Sequence, residues 1–316
     1  MIRQGAFAKQ GGMLKGGLHC HTTRSDGHGS PEAVIRLHAE MGYDFLAITD
    51  HRIYNYQNYA PETGLTILPG MEMDRGITSG AGMCFHTVAI GPAREDGNGF
   101  AQDQRFESGE VADQYAFQPL LDELHANGNM TIYCHPDWSC TPARAYERMR
   151  GNFAMEIWNS GCAIENDMDT NALGWDELLV GGSRIFGVAT DDGHAMSHHG
   201  HGWVMVRAEN RIDAILAALG RGDFYSSCGP EIYDFSIDGD TARLECSPAA
   251  SICFINGVRP NRLVRAGDAP ITRAQAQLHP AAKYLRATVV DAAGRRAWTN
   301  PIFLHDAPNA AEGRSE

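Results

Sequence analysis

The 316-residue chain has no uninterrupted apolar stretch near the roughly 20 residues that cross a bilayer, so no membrane-spanning segment is expected. It opens with MIRQGAFAKQGGMLKGG, which has charge and glycine where a secretory leader needs an apolar core. The eight cysteines are scattered and form no C-x-x-C pair. That argues against a disulfide framework or a zinc knuckle and for the reduced thiols of a cytoplasmic protein. Dense Lys/Arg tracts are missing too: 26 basic residues stand against 39 acidic ones, a formal charge of −13, so a long nucleic acid is not an expected partner. A G-x-S-x-G elbow, a phosphate-cradling Walker loop and a dinucleotide fingerprint are all absent, which weakens serine-nucleophile, nucleotide-fold and redox readings. No internal repeat or low-complexity tract is present.

What is present alternates. SPEAVIRLHAEMG has a capping serine, a proline at the first helical position, apolar residues at helical spacing and a closing glycine. YAFQPLLDELHANG, PARAYERMRG, NALGWDELLVGG and RIDAILAALGRG are further helical candidates. Between them lie short apolar runs with strand character: YDFLAITDH, LTILPGME, CFHTVAIG, MTIYCHP, AMEIWNSG, RIFGVATDD and GWVMVRA. Such alternation predicts βαβ units, a parallel sheet and an α/β barrel over residues 12–223. From residue 224 to 306 the pattern becomes alternating runs around Asp238-Gly239, Asn256-Gly257 and DAAG, which predicts hairpins and a small antiparallel sandwich-like domain.

The chemistry collects at strand ends, where parallel α/β folds place functional residues. GLHCHTTRSDG, residues 17 to 27, puts His19 and His21 on one face of a strand with Asp26 close behind. FLAITDH ends at Asp50 and His51, LTILPGME at Glu72, MTIYCHP at His135, and IFGVATDDGH at Asp191, Asp192 and His194, while His86 lies in CFHTVAIG. Taken alone, a strand-end histidine is more often a satisfied structural residue than a ligand. Together these residues form a mixed imidazole and carboxylate set that suits zinc, manganese or iron, and that would be costly to cluster without an ion. Gly16, Gly17 and Gly27 are expected to let backbone pass close to those ions.

The ordered pattern H-x-H-x4-D, T-D-H, G-x-E, the histidine of HTVAIG, CHP and D-x-H resembles the PHP (polymerase and histidinol phosphatase) superfamily. The resemblance implies a distorted seven-stranded α/β barrel holding two or three divalent ions. It further implies that His19, His21, Glu72 and Asp192 hold one ion, Glu72, His86 and His135 a second, and Asp26, His51 and His194 a third. GVATDDGH, FYSSCGPEI and GRRAWTNPIFL look more narrowly like the CehA/McbA-type metallohydrolase branch, in which a β domain follows the barrel.

The expected function is metal-dependent hydrolysis, in which a water activated by the ions attacks a phosphorus or acyl centre. Glu72 and Asp192 are expected to hold ions, and a bound water or His194 to protonate the leaving group. A small phosphomonoester or short phosphodiester is the expected substrate. The alternatives are a carboxyl or carbamate ester and, from another class, a non-catalytic metal- or carbohydrate-binding protein. Asp50 and Asp191 read as acceptors that orient ligand histidines, with Asp191 able to exchange roles with Asp192. Arg24, Arg52 and Arg144 are either anion clamps or ordinary ion-paired residues. Trp158 and Asn159 line the pocket or, for Trp158, fill the core; Tyr54, Tyr56 and Tyr59 would supply an apolar slot if they face the metals. SHHGHG at 197 to 202 is expected to be a mobile rim loop.

Overall fold

Local chemistry sets the helix boundaries. Ser30 accepts a hydrogen bond from Ala33 N at 3.3 Å, Pro31 opens the helix Pro31–Glu40, and Gly42 follows its C-cap at φ 74°. Ala172–Gly181 and Ile212–Arg221 each stop at a left-handed glycine, Gly182 and Gly222. The computed structural model describes residues 4–7, 11–80, 82–94, 99–141, 145, 149–168 and 171–304. Most of the helical candidate PARAYERMRG, including Arg144, lies outside the described residues. Among the described residues no helix is long and apolar enough to cross a membrane.

LTILPGME, expected as one strand, is two. Pro69 lacks an N–H for the ladder, and Thr66–Leu68 and Gly70–Ile77 on either side of it belong to different sheets. A six-stranded sheet has the order Phe186–Thr190, Asn152–Asn159, Met130–Tyr133, Cys84–Ile90, Gly70–Ile77, Glu110–Val111. Its first three strands pair in parallel, as expected. Cys84–Ile90 is antiparallel to both its neighbours, which corrects the expectation of a parallel sheet. Residues 78–83 are too few for a crossover helix, so Gly70–Ile77 and Cys84–Ile90 form a hairpin.

The second sheet begins with Thr66–Leu68, Phe45–Ala47, Gly12–Gly17 and Trp203–Ala208. It continues through Phe224–Ser227 into Arg296–Thr299, Tyr284–Val290, Ser251–Ile255 and Arg262–Arg265. The boundary expected at 223/224 therefore falls inside a continuous sheet, because Phe224–Ser227 pairs with Trp203–Ala208 on one side and Arg296–Thr299 on the other. Single bridges, His51 to Glu72 and Cys20 to Gly193, connect the ends of the two sheets. Leu18 and Val204 from one sheet region and Val88, Ile132 and Val188 from the other are fully buried in one shared core. The fold is mixed α/β with a β-rich second part; an unbroken ladder around seven strands is not seen among the described residues.

The three hairpins expected after residue 224 are all present: Ile232–Asp238 with Thr241–Ala249, Ser251–Ile255 with Arg262–Arg265, and Tyr284–Val290 with Arg296–Thr299. A separate four-stranded sheet, Gln4–Gly5, Ile232–Asp238, Thr241–Ala249, Ile271–Gln277, shares a core with the second sheet through Phe235, Leu244, Phe254, Leu285 and Val289. The N-terminal strand Gln4–Gly5 thus pairs with the C-terminal part. Arg286 joins the two parts, donating from Nε and Nη2 to the carboxylate of Asp176 at 2.8 Å each.

Candidate metal centre

Glu72 is the hub of the site. It points from the strand Gly70–Ile77 into a basin where it is 1% exposed. Oε2 lies 3.3 Å from His19 Nε2, 3.2 Å from His21 Nε2 and 3.2 Å from His51 Nδ1. Oε1 lies 2.9 Å from His86 Nδ1 and 3.3 Å from His135 Nε2. Five imidazoles from four separate chain segments therefore converge on one buried carboxylate. Asp192 closes the far side, with Oδ1 3.2 Å from His19 Nε2 and 3.1 Å from His21 Nε2. At the mouth, half-exposed Asp26 approaches His21, His51 and His194 at 3.4, 3.6 and 3.5 Å.

All nine residues singled out in the sequence thus meet in one place. Ligand atoms of His19, His21, Glu72 and Asp192 lie within 4.8 Å of one another, as do those of His21, Asp26, His51 and His194 and those of His51, Glu72 and His86. Two of them carry backbone strain: His135 at φ 24° and Asp192 at φ 48°, both following apolar strands. Local hydrogen bonds hold that strain, from His135 N to Glu156 Oε2 at 2.8 Å and from Asp192 N to His19 O at 3.0 Å.

The donor set fits divalent cations. His19 Nδ1 lies 2.7 Å from Glu156 Oε1, so Nε2 is the nitrogen that faces the basin. That atom is 3.2 Å from His21 Nε2, a close approach of two ring nitrogens that a shared cation would reconcile. Despite these close approaches, buried Asp192 Oδ1 and His51 Nδ1 make no well-aligned hydrogen bond. Imidazole nitrogen with carboxylate oxygen is the mixture that zinc, manganese and iron accept.

Electrostatics point the same way. Burial opposes the charged form of Glu72, yet the fields of His19, His51 and His86 outweigh it and hold the carboxyl well below the usual range. Asp192 behaves alike, with burial overcome by His19 and His21. Burial likewise opposes imidazolium at His21 and His86, but Asp192 and Glu72 push His21 up to about 9, and Glu72 with Cys84 pushes His86 to about 10. The basin stabilises ionised oxygens and calls for positive charge among them.

Supporting residues divide into those expected and those missed. Glu156, 1% exposed in the strand Asn152–Asn159, was missed; it also accepts from Thr190 Oγ1 at 2.6 Å and Asn159 Nδ2 at 2.9 Å. A lone acid inside the apolar run of AMEIWNSG was the available sign. Asn159 further donates to Asp192 Oδ2 at 3.0 Å, which gives it a positioning role. Asp74, also missed, stands 3.1 Å from His51 Nδ1.

Asp50 accepts from Thr22 N, Thr22 Oγ1 and Ser25 Oγ, each at 2.8 Å, so it shapes the turn after His21 without touching a ligand histidine itself. Asp191 takes the backbone N–H groups of Gly200, His201 and Gly202 at 2.7–2.9 Å. It therefore pins the loop expected to be a mobile rim, whose His198 and His199 are buried. Gly16 and Gly17 serve packing: a Cβ at Gly16 would meet the Phe45 ring and one at Gly17 the Leu46 side chain. Gly27 does abut the site, since its Cβ would lie 2.5 Å from the His21 backbone.

A cavity of about 340 Å³ opens over the basin, bordered by Asp26, His51, Glu72, His86, Trp138 and His194 among others. Trp138, 41% exposed, stands edge-on to the rings of His86 and His135 and is the aromatic wall that the sequence reading missed. Trp158 and Asn159 line an adjoining cavity with Trp138. Tyr54 is fully buried and donates to Asn129, away from the metal basin. Arg24 pairs with Asp103 and Asn55, and Arg52 with Asp74, so both are ion-paired residues.

A family model described as PHP domain matches residues 17–226. No curated protein matches the chain. Among solved structures, a two-domain protein from Bacteroides vulgatus containing a predicted PHP-like metal-dependent phosphoesterase is similar at TM-score 0.50 and 14% identity, covering 92% of this chain and 94% of that one. An amidohydrolase from Chromobacterium violaceum with bound sulfate is similar at TM-score 0.40 and 18% identity, over 57% of this chain and 87% of that one. A putative metal-dependent phosphoesterase from Bifidobacterium adolescentis is similar at TM-score 0.40 and 14% identity, over 59% and 88%. The first likeness concerns the fold; the other two are too distant to bear on anything further.

Proposed function

This chain belongs to the PHP domain family, and on that premise we propose that it is a metal-dependent hydrolase of small phosphate esters. The observation that carries the reading is Glu72, one buried carboxylate shared by five imidazoles. A carboxylate with both oxygens so surrounded would help to hold more than one ion. We assign His19, His21, Glu72 and Asp192 to one, Glu72, His86 and His135 to a second, and Asp26, His51 and His194 to a third. Two or three such ions, when bound, would lower the pKa of a coordinated water and neutralise charge on a phosphate.

The chain's own residues do the rest. Glu156 and Asn159 hold His19 and Asp192 in place through 2.7 and 3.0 Å contacts. Trp138 supplies an aromatic wall of the cavity against which a leaving group could pack. In a two-ion form, where it holds no metal, His194, with its side chain 29% exposed at the cavity mouth, is placed to hand a proton to the leaving oxygen. The −13 charge of the chain leaves the basin itself as the focus for a small anion and favours no long nucleic acid.

We read the two sheets as a distorted seven-stranded barrel completed through the His51–Glu72 and Cys20–Gly193 bridges, with residues 224–306 as its β companion. That companion is what supports a place in the CehA/McbA-type branch. The test is hydrolysis of 4-nitrophenyl phosphate and bis(4-nitrophenyl) phosphate by protein supplemented with zinc, manganese or iron. Turnover that chelation abolishes and metal restores is expected; turnover indifferent to chelation would refute the metal-dependent reading.

A further inference from the structure

Behind the basin lies a second group of ligand-type side chains, none of them among the nine above. His38 comes from the helix Pro31–Glu40, Asp191 follows the strand Phe186–Thr190, and His199 sits just after the short turn Met196–His198. One ligand atom from each lies within 4.8 Å of the others. The three residues are 1, 3 and 5% exposed.

Each donor is left in the form that a cation needs. His38 Nδ1 donates to Val34 O at 2.8 Å, so its Nε2 presents a lone pair. Of the Asp191 oxygens, Oδ1 accepts two backbone N–H groups but Oδ2 only one, from Gly200, and the neighbouring Tyr43 hydroxyl is buried without a well-formed hydrogen bond. Lys15, whose charge Asp191 feels, spends its ammonium on Met41 O at 3.2 Å and on the rings of Tyr43 and Trp203. Both ring nitrogens of His199 lack a hydrogen-bond partner, a rare condition for a group this deep. The ring cannot easily turn away, because it packs where a Cβ on Gly193 would be, 2.3 Å from its nearest atoms. Burial lowers the pKa of His38 and pushes that of His199 down to about 3, so both imidazoles are neutral.

We propose that His38, Asp191 and His199 form a separate site for one divalent transition-metal ion, distinct from the Glu72 basin. Two imidazoles and one carboxylate favour zinc, cobalt or iron over magnesium or calcium. The ion would tie the 196–202 loop to the helix Pro31–Glu40 through a residue adjacent in the chain to Asp192. Its role is structural, so the site stands whichever reaction the basin performs.

The test uses the full chain loaded with Co²⁺, crystallised, and measured at the cobalt absorption edge. An anomalous peak about 2.0–2.2 Å from nitrogens of His38 and His199 and from Asp191 Oδ2 is expected. Elemental analysis of His199→Gln and His38→Gln should show one Co²⁺ fewer per chain than wild type, while His19→Ala keeps this ion and loses cobalt from the basin. A wild-type map without an anomalous peak there overturns the site, as does unchanged stoichiometry in both folded variants. If the variants do not fold, the wild-type map decides alone. Missing peaks around Glu72 would count against the hydrolase reading and leave this one standing.

Discussion

His19 Nδ1 and Glu156 Oε1 lie 2.7 Å apart with both side chains essentially sealed from solvent. This contact fixes which ring nitrogen of His19 faces the basin. Glu156→Ala should therefore weaken metal affinity by about 10–100-fold, the usual cost of losing a partner behind a ligand histidine. Competition titration against a chromophoric chelator measures it. Unchanged affinity would mean that His19 is not a ligand or is oriented by something else.

Substitutions in the basin itself should cost more. Asp192→Asn and His19→Ala are each expected to lower kcat/KM beyond that roughly 100-fold level, with circular dichroism unchanged, because the shared core of Leu18, Val88, Ile132, Val188 and Val204 is untouched. Activity near wild type in either variant would place the reaction elsewhere.

Gly27→Ala tests the turn behind His21. The added methyl would sit 2.5 Å from the carbonyl carbon and oxygen of His21 and 2.6 Å from Thr22 N, all backbone atoms that yield poorly. A loss of about 1–3 kcal/mol of stability is expected in denaturant unfolding, together with weaker metal binding as His21 shifts. A variant as stable as wild type would show that the turn relaxes freely.

Asp176→Ala probes the join between the two parts of the fold. It would leave the Arg286 guanidinium, 2% exposed, without its bidentate partner. Because Asp176 is itself 16% exposed, the expected loss is about 3 kcal/mol, the lower end for a broken buried pair. The double variant Asp176→Leu with Arg286→Met should recover much of it. Chemical denaturation reads both, and a negligible loss in the single variant would show that the pair contributes nothing.

Eight of the nine basin residues were legible because each is a histidine or carboxylate within or shortly after a short apolar strand, where core packing has no use for it. Asp26 lies in a turn and was legible only from its spacing after His21. Ser30 with Pro31 and Gly42 made the first helix legible, and Asp238-Gly239 did the same for a hairpin, since caps and turns are local chemistry. Pairing at long sequence separation is not local. Nothing within Phe224–Ser227 says that it pairs with Arg296–Thr299, so the sheet running through the expected boundary could not be read. The antiparallel hairpin of Gly70–Ile77 with Cys84–Ile90 was obscured because both strands are buried over much of their length and read as parallel-sheet runs. Glu156 hid for a related reason: a single acid in an apolar strand reveals its partner only when His19, 137 residues away, is brought beside it.

The most direct test of the central claim is kcat/KM of the metal-replete protein on matched 4-nitrophenyl esters, phosphate against acetate and carbamate. A basin built to concentrate positive charge predicts faster hydrolysis of the phosphate ester, with activity lost on chelation. Carboxyl or carbamate esters turning over at least about a hundredfold better than every phosphate ester would contradict it, since that ratio amounts to about 2.7 kcal/mol of transition-state preference for the wrong centre.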